Sequence, residues 1–251
     1  MITYKNLYDN ENMLKIAERG CVKVFEHQKD LSVNSNSAIA TYYASKMNVR
    51  RRQVLIELTG NSFTVQAGAM QWTSGSVSMT SGVKGVGDFL GKAIASKVTK
   101  ESTAKPVYKG SGLLMLEPTF QHILLEDISE WGSIVLEDGL FLACDSGIRH
   151  NIVARTTLTS AVAGKEGLFN LCLTGQGIAV LESPVPREEL IEFDLKDDEI
   201  KIDGNMAIAW SNSLKFTVER SSKSLIGSAV SGEGLVNVYR GTGKILMTPV
   251  G

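Results

Sequence analysis

The chain has 251 residues, of which 43% are hydrophobic, with 26 basic and 27 acidic side chains and a formal net charge of −1. That balance excludes a global field drawing the protein to phosphate backbones or anionic lipid, and it disfavours a dedicated nucleic-acid binder. The apolar content is ample for one large core without metal or disulfide staples.

Residues 1–12 are polar and acidic where a secretory leader would need an apolar stretch. The strongest apolar runs, Leu113 to Leu116 and Ile178 to Leu181, are only strand length, far below the ~18 residues that cross a bilayer. No transmembrane segment is expected. The three cysteines, Cys21, Cys144 and Cys172, lack CxxC spacing and read as thiols in a reducing, cytoplasmic setting.

In chain order, residues 1–50 form an irregular N-terminal extension. It holds a short helix around Asn12 to Arg19, a strand at Cys21 to Phe25 and a turn at Asn34 to Ser37. From residue 51 to 251 the texture is that of one β domain. Apolar and polar residues alternate in Val54 to Leu58, Phe63 to Gln66, Ile200 to Ile202 and Phe216 to Val218, the period-2 pattern of strands with one wet face. One amphipathic helix is expected at Val86 to Val98, with Val86, Phe89, Leu90, Ile94 and Val98 on a single face.

The chain also repeats itself. Glu166-Gly-Leu-Phe-Asn-Leu171 recurs as Glu233-Gly-Leu-Val-Asn-Val238, each followed by Gly-x-Gly (Gly175 to Gly177, Gly241 to Gly243), and Ser111 to Leu116 is a more degenerate third copy. Both intact copies read as hairpins. A second element, a small or acidic residue, then glycine, then an apolar strand, starts at Ala67, Asp138 and Asp203. Such periods predict three units, about 51–110, 111–165 and 166–251, closing one core together.

The two repeat copies, with Asp138-Gly-Leu-Phe-Leu-Ala-Cys-Asp145-Ser-Gly147 and Ser231 to Thr248, resemble the altered-inheritance-of-mitochondria protein twenty-four family. The likeness runs from about Val54 to Thr248; the first 50 residues and Lys100 to Lys109 depart from it. The resemblance implies an all-β fold, a β-sandwich or double-stranded β-helix like that of the tryptophan RNA-binding attenuator protein, with three internal repeats. It implies no activity and no functional residue; its mitochondrial branch is linked to inner-membrane organisation.

Candidate chemistry is sparse. Five Gly-x-Gly sequences, at Gly85, Gly110, Gly175, Gly232 and Gly241, read as turns and bulges, since none extends to a phosphate-binding motif. His27, His122 and His150 are isolated, so no metal site is expected. Cys172 sits in an apolar strand where burial raises a thiol pKa, and no cysteine shows a basic neighbour. Glu192 and Asp194 share a strand face but read as part of a solvated acidic edge with Glu188, Glu189, Asp197, Asp198 and Glu199. The basic run Arg50 to Arg52 and Lys84, Lys92, Lys97, Lys100, Lys105 and Lys109 form the local positive excess, placed outside the repeated strands. Trp72 and Trp210 follow equivalent strands and read as matching core positions.

No catalytic, cofactor-binding or metal-binding residue is assigned. The chain is expected to be a non-enzymatic binding or scaffolding protein, contacting a protein partner or a membrane surface and open to homo-oligomerisation. The alternative is a small-molecule or carbohydrate binder with a cavity between its sheets.

Overall fold

The computed structural model describes residues 2–81, 105–154, 169–220 and 235–250. The helix expected at Val86 to Val98 lies outside the described residues. In the first sheet, β1 (Met13–Arg19) pairs with β2 (Val22–His27), and β2 with β3 (Arg52–Val65). The long β3 is also paired to β5 (Val107–Leu116) and β8 (Phe141–Asp145). The edges are completed by β4 (Met70–Thr80) on β5, and by β11 (Ile178–Ser183) on β8 followed by β6 (His122–Asp127). Every pairing is antiparallel.

The second sheet is built on β15 (Leu235–Met247). One of its edges carries β12 (Ile191–Asp203); the other is divided between β14 (Lys215–Arg220) and β13 (Ala207–Ser211). From β13 the order continues through β7 (Ser133–Leu136) and β10 (Phe169–Thr174) to β9 (Arg149–Ala154). Two curled antiparallel sheets therefore make a barrel-like sandwich, in keeping with the all-β texture of the sequence and the sandwich that the family resemblance implies. Both sheets fork at a long strand, because β3 gives the first half of one edge to β2 and the second half to β8. A register shift sits at each fork, between Thr59 and Ser62 in β3 and between Leu195 and Asp198 in β12, and such bulges bend and twist a strand.

Three apolar clusters fill the interior. One, with Leu136, Phe141, Cys144, Leu173, Leu181 and Leu246, draws on both sheets; Ile56, Phe63 and Leu114 centre the second, and Trp210, Tyr239 and Ile245 the third. Fully burying each such side chain is worth about 1.5–3 kcal/mol, offset by the entropy of ordering it.

Four expectations are corrected. The segment around Asn12 to Arg19 is strand β1, not a helix; it turns back through Gly20 and Cys21 to pair with β2. Val54 to Leu58 has no wet face: Val54, Ile56 and Leu58 point into the interior, while Leu55 packs on the other side with Leu7, Met13, Phe25 and Met115. The N-terminal extension covers that face and adds two strands to the sheet.

The repeated Gly-x-Gly segments are not hairpin turns. Gly175 to Gly177 carries the chain from β10 in one sheet to β11 in the other, and Gly241 to Gly243 lies inside β15. The degenerate copy, Ser111 to Leu116, and the Gly110 to Gly112 sequence that overlaps it likewise lie within β5, where close approach of β4 dictates glycine. A Cβ on Gly112 would stand 1.9 Å from the Ser74 carbonyl oxygen. Finally, Trp72 and Trp210 are not equivalent. Trp210 is buried against Phe216 and Tyr239, whereas Trp72 is half-buried on the outside, stacked on Tyr4 at 6.3 Å.

Candidate functional site

The fold brings together a group that its sequence spacing conceals. Cys144 on β8 and His150 on β9 meet with Sγ 3.1 Å from Nε2, so the cysteine does have a basic neighbour. Lys105, expected in the local positive excess outside the repeated strands, is buried; it donates to Gln66 Oε1 at 2.5 Å and lies 4.4 Å over the Phe141 ring. The His150 ring packs edge-on against Phe141. Burial, and then the neighbouring Lys105 charge, push His150 down to about 4. Burial, and then Asp145, push the Cys144 thiol up. At neutral pH the pair is thus an uncharged thiol and imidazole, the reverse of the thiolate and imidazolium that make a nucleophile.

The remaining candidates resolve into structural roles. All three cysteines are free, and burial raises the thiols of Cys21 and Cys172 as well. His27 is hydrogen-bonded to Gln53, and His122 is pushed down by burial and Arg52; no cluster of three metal-ligating side chains occurs among the described residues. Glu192 and Asp194 are exposed on β12, which among the described residues pairs only with β15. The Arg187 guanidinium holds Glu192 below its ordinary range, unlike a general acid. The acidic residues therefore blunt a sheet edge.

The basic run Arg50 to Arg52 is not a free surface stripe. Arg52 opens β3 at 1% exposure, with Nη2 2.8 Å from Glu26 and Nη1 donating to the carbonyls of Phe120 and Gln121. Arg50 pairs with Glu26 at 3.2 Å and Arg51 with Asp30 at 2.9 Å.

That network anchors the element the sequence reading misses, helix α1 (Ala38–Lys46). Asn34 Oδ1 accepts from the Asn36 and Ser37 N–H groups and turns the chain into it. At the far end, Asn48 at φ +62 lets its own N–H reach Ser45 O and the Val49 N–H reach Ala44 O, a Schellman closure. None of the nine residues is buried. Ala40, Thr41, Ala44 and Ser45 face the sheet and, with Val49, Arg50, Arg51, Phe120, His27, Gln28 and Asp30, line a groove of about 250 Å³. Ile39, Tyr42, Tyr43 and Met47 are exposed instead, with Tyr42 and Tyr43 edge-on at 5.5 Å and Lys46 over the Tyr42 ring. The spacing of 39, 42, 43 and 47 is a legible helical stripe; here it points away from the core.

A two-sheet antiparallel sandwich built on forked long strands defines an all-β, barrel-like sandwich class of protein. The mitochondrial biogenesis AIM24 family model matches residues 44–250, and the chain belongs to that family. An uncharacterised protein of Streptococcus pyogenes serotype M6 is 28% identical over 193 residues, covering 74% of this chain and 76% of the relative. The X-ray crystal structure of a Streptococcus pyogenes protein, SPYM3_0169, is similar with a TM-score of 0.58 and 25% identity, covering 80% of this chain and 89% of that one.

Proposed function

We propose that this protein is a non-enzymatic binding or scaffolding module that engages a protein partner through the outer face of helix α1. The observation that carries the reading is the exposure of Ile39 (73%), Tyr42 (57%), Tyr43 (64%) and Met47 (78%) on a helix that buries nothing of its own. An isolated nine-residue helix is marginal in water, so this one is held by its C-terminal closure and its anchored flank with its apolar side outward. Tyrosine and methionine are enriched at protein interfaces, and tyrosine offers much contact area for little lost rotamer freedom. A single lysine, Lys46, is too little positive charge for a membrane-surface helix, which draws on several basic residues. The quiescent Cys144–His150 pair supports the non-enzymatic part. The three free thiols support a cytoplasmic location, and among the described residues no helix is long and apolar enough to cross a membrane.

A photo-crosslinking side chain placed at position 43, with position 109 on β5 as control, tests this in native lysate. A discrete adduct from 43 and none from 109 is expected. The captured chain, once purified, should then lose at least about tenfold in affinity on Ile39→Asp with Tyr43→Asp, the loss of hot-spot contacts. A second copy of this chain counts as such a partner, which sedimentation of the double variant against wild type reveals. Equal labelling from both positions, or capture only by anionic vesicles, overturns the proposal.

A further inference from the structure

We propose that the groove behind helix α1 is a binding site for a small amphiphilic monoanion, its carboxylate held by Arg50 and Arg51 and its apolar part lying along Ala44, Val49 and Phe120. The site is independent of the outer face of the helix, because the lining residues Ala40, Thr41, Ala44 and Ser45 are those that Ile39, Tyr42 and Tyr43 turn away from.

Three observations converge. The first is an orphaned donor. Arg50 uses Nη1 on Glu26 at 3.2 Å and on Gln28 Oε1 at 2.5 Å, but its Nε is buried without a hydrogen-bond partner among the described residues. Nearly every buried N–H in a folded protein has an acceptor, and one without is costly. Nε lies on the guanidinium edge that carboxylates recognise in bidentate pairs, so an anion entering the groove supplies what the protein does not.

The second is charge. The ion-pair network at the groove comprises Arg50 and Arg51, which line it, and Arg52 behind them, which shares Glu26 with Arg50, against the two carboxylates Glu26 and Asp30. The excess of one positive charge matches a monoanion, while a dianion would leave net negative charge in a partly enclosed space.

The third is the character of the walls. Ala40, Ala44, Val49 and Phe120 form an apolar side, and the Arg51 guanidinium stacks 5.6 Å from the Phe120 ring where the polar and apolar halves meet. A bare inorganic anion would leave that side unused. The volume of about 250 Å³ lies just under the ~300–1,000 Å³ of typical small-molecule sites, which selects a short molecule.

The test titrates the full chain by calorimetry with octanoate, acetate, octan-1-ol and octylammonium. Saturable octanoate binding is expected, at least tenfold tighter than that of the other three. Arg50→Lys keeps the charge but removes the Nε edge and should weaken octanoate about fivefold or more. Ala44→Leu fills the apolar side with a good helix former and should abolish binding with the thermal midpoint unchanged, which keeps the test valid if the arginine variant folds poorly. Absence of octanoate binding overturns the proposal. So does equal affinity for octan-1-ol, octylammonium or acetate, or octanoate binding that Arg50→Lys and Ala44→Leu both leave intact.

Discussion

The Arg52 guanidinium meets the Glu26 carboxylate at 2.8 Å where Arg52 is 1% exposed, directly beneath the segment that joins helix α1 to β3. The same guanidinium donates to the Asn48 carbonyl at 3.4 Å, and the Arg52 main chain exchanges both hydrogen bonds with Thr119. One side chain therefore ties the helix flank, β2 and the loop before β6 together. Removing it leaves Glu26 with Arg50 as its ion-pair partner among the described residues, and breaking a buried pair from one side costs about 3–5 kcal/mol. Arg52→Ala is expected to lower the unfolding free energy from urea denaturation by that amount, and Arg52→Met to recover part of the loss through packing. An Arg52→Ala protein as stable as wild type would show that the pair is dispensable.

Acid should weaken the fold through His150. Its folded value of about 4 lies below the ordinary histidine value near 6.5, so the unfolded chain binds the proton more tightly. Stability from this group is complete above about pH 6.5 and declines as pH falls toward 4. His122, also pushed down by burial, acts in the same direction. The His150 contribution is on the order of 2 kcal/mol once its partial exposure is allowed for. Urea midpoints at pH 7.5, 6 and 4.5 should fall more steeply for wild type than for His150→Gln, and parallel curves would contradict the assignment.

The all-β class, the Asp138-Gly139 turn and the core role of Trp210 are readable from local chemistry, because turn residues and apolar strands act within a few positions of each other. The misreadings share a physical cause. Val54 to Leu58 shows alternation only if the opposite face is wet, and that face is covered by Leu7 and Phe25, up to 48 residues away in the chain. The run Met13 to Arg19 fits helical spacing, yet the two-residue Gly20–Cys21 link to the next apolar run is a hairpin signal that outweighs it. The meeting of Cys144 with His150 depends on which sheet each of two successive strands joins, and short-range pattern does not encode that. Helix α1 carries a readable stripe at Ile39, Tyr42, Tyr43 and Met47, but its packing side is alanine, serine and threonine, so the sequence does not show which side meets the sheet.

The glycine spacing in the repeats makes a paired test possible. At Gly112 a new Cβ would strike the backbone oxygen of Ser74 at 1.9 Å, and only movement of β4 away from β5 could relieve it. At Gly139, in the turn after β7, φ is +88 but a Cβ meets nothing within 4 Å. Gly139→Ala is expected to cost about 1–2 kcal/mol, the left-handed backbone penalty alone. Gly112→Ala should exceed about 3 kcal/mol or leave the protein insoluble, as backbone clashes in a packed sheet do. Equal chemical-denaturation midpoints for the two variants would show that the close approach of β4 and β5 carries no penalty.

The N-terminal cover should be separable into a stabilising and a merely shielding part. Leu7, at 8% exposure, packs in the outer cluster with Met13, Phe25, Leu55 and Met115, so Leu7→Ala should cost about 2–3 kcal/mol through lost burial and a cavity. Tyr4 is 39% exposed and stacks on Trp72 at 6.3 Å, so Tyr4→Ala should change stability by no more than about 1 kcal/mol. It should nevertheless move the tryptophan emission to the red. The other two tryptophans, Trp131 and Trp210, are buried, so a shift on removing Tyr4 reports on Trp72. An unchanged emission spectrum for Tyr4→Ala, or a Leu7→Ala protein with the wild-type urea midpoint, would mean that the first residues do not cover the outer face of β3 in solution.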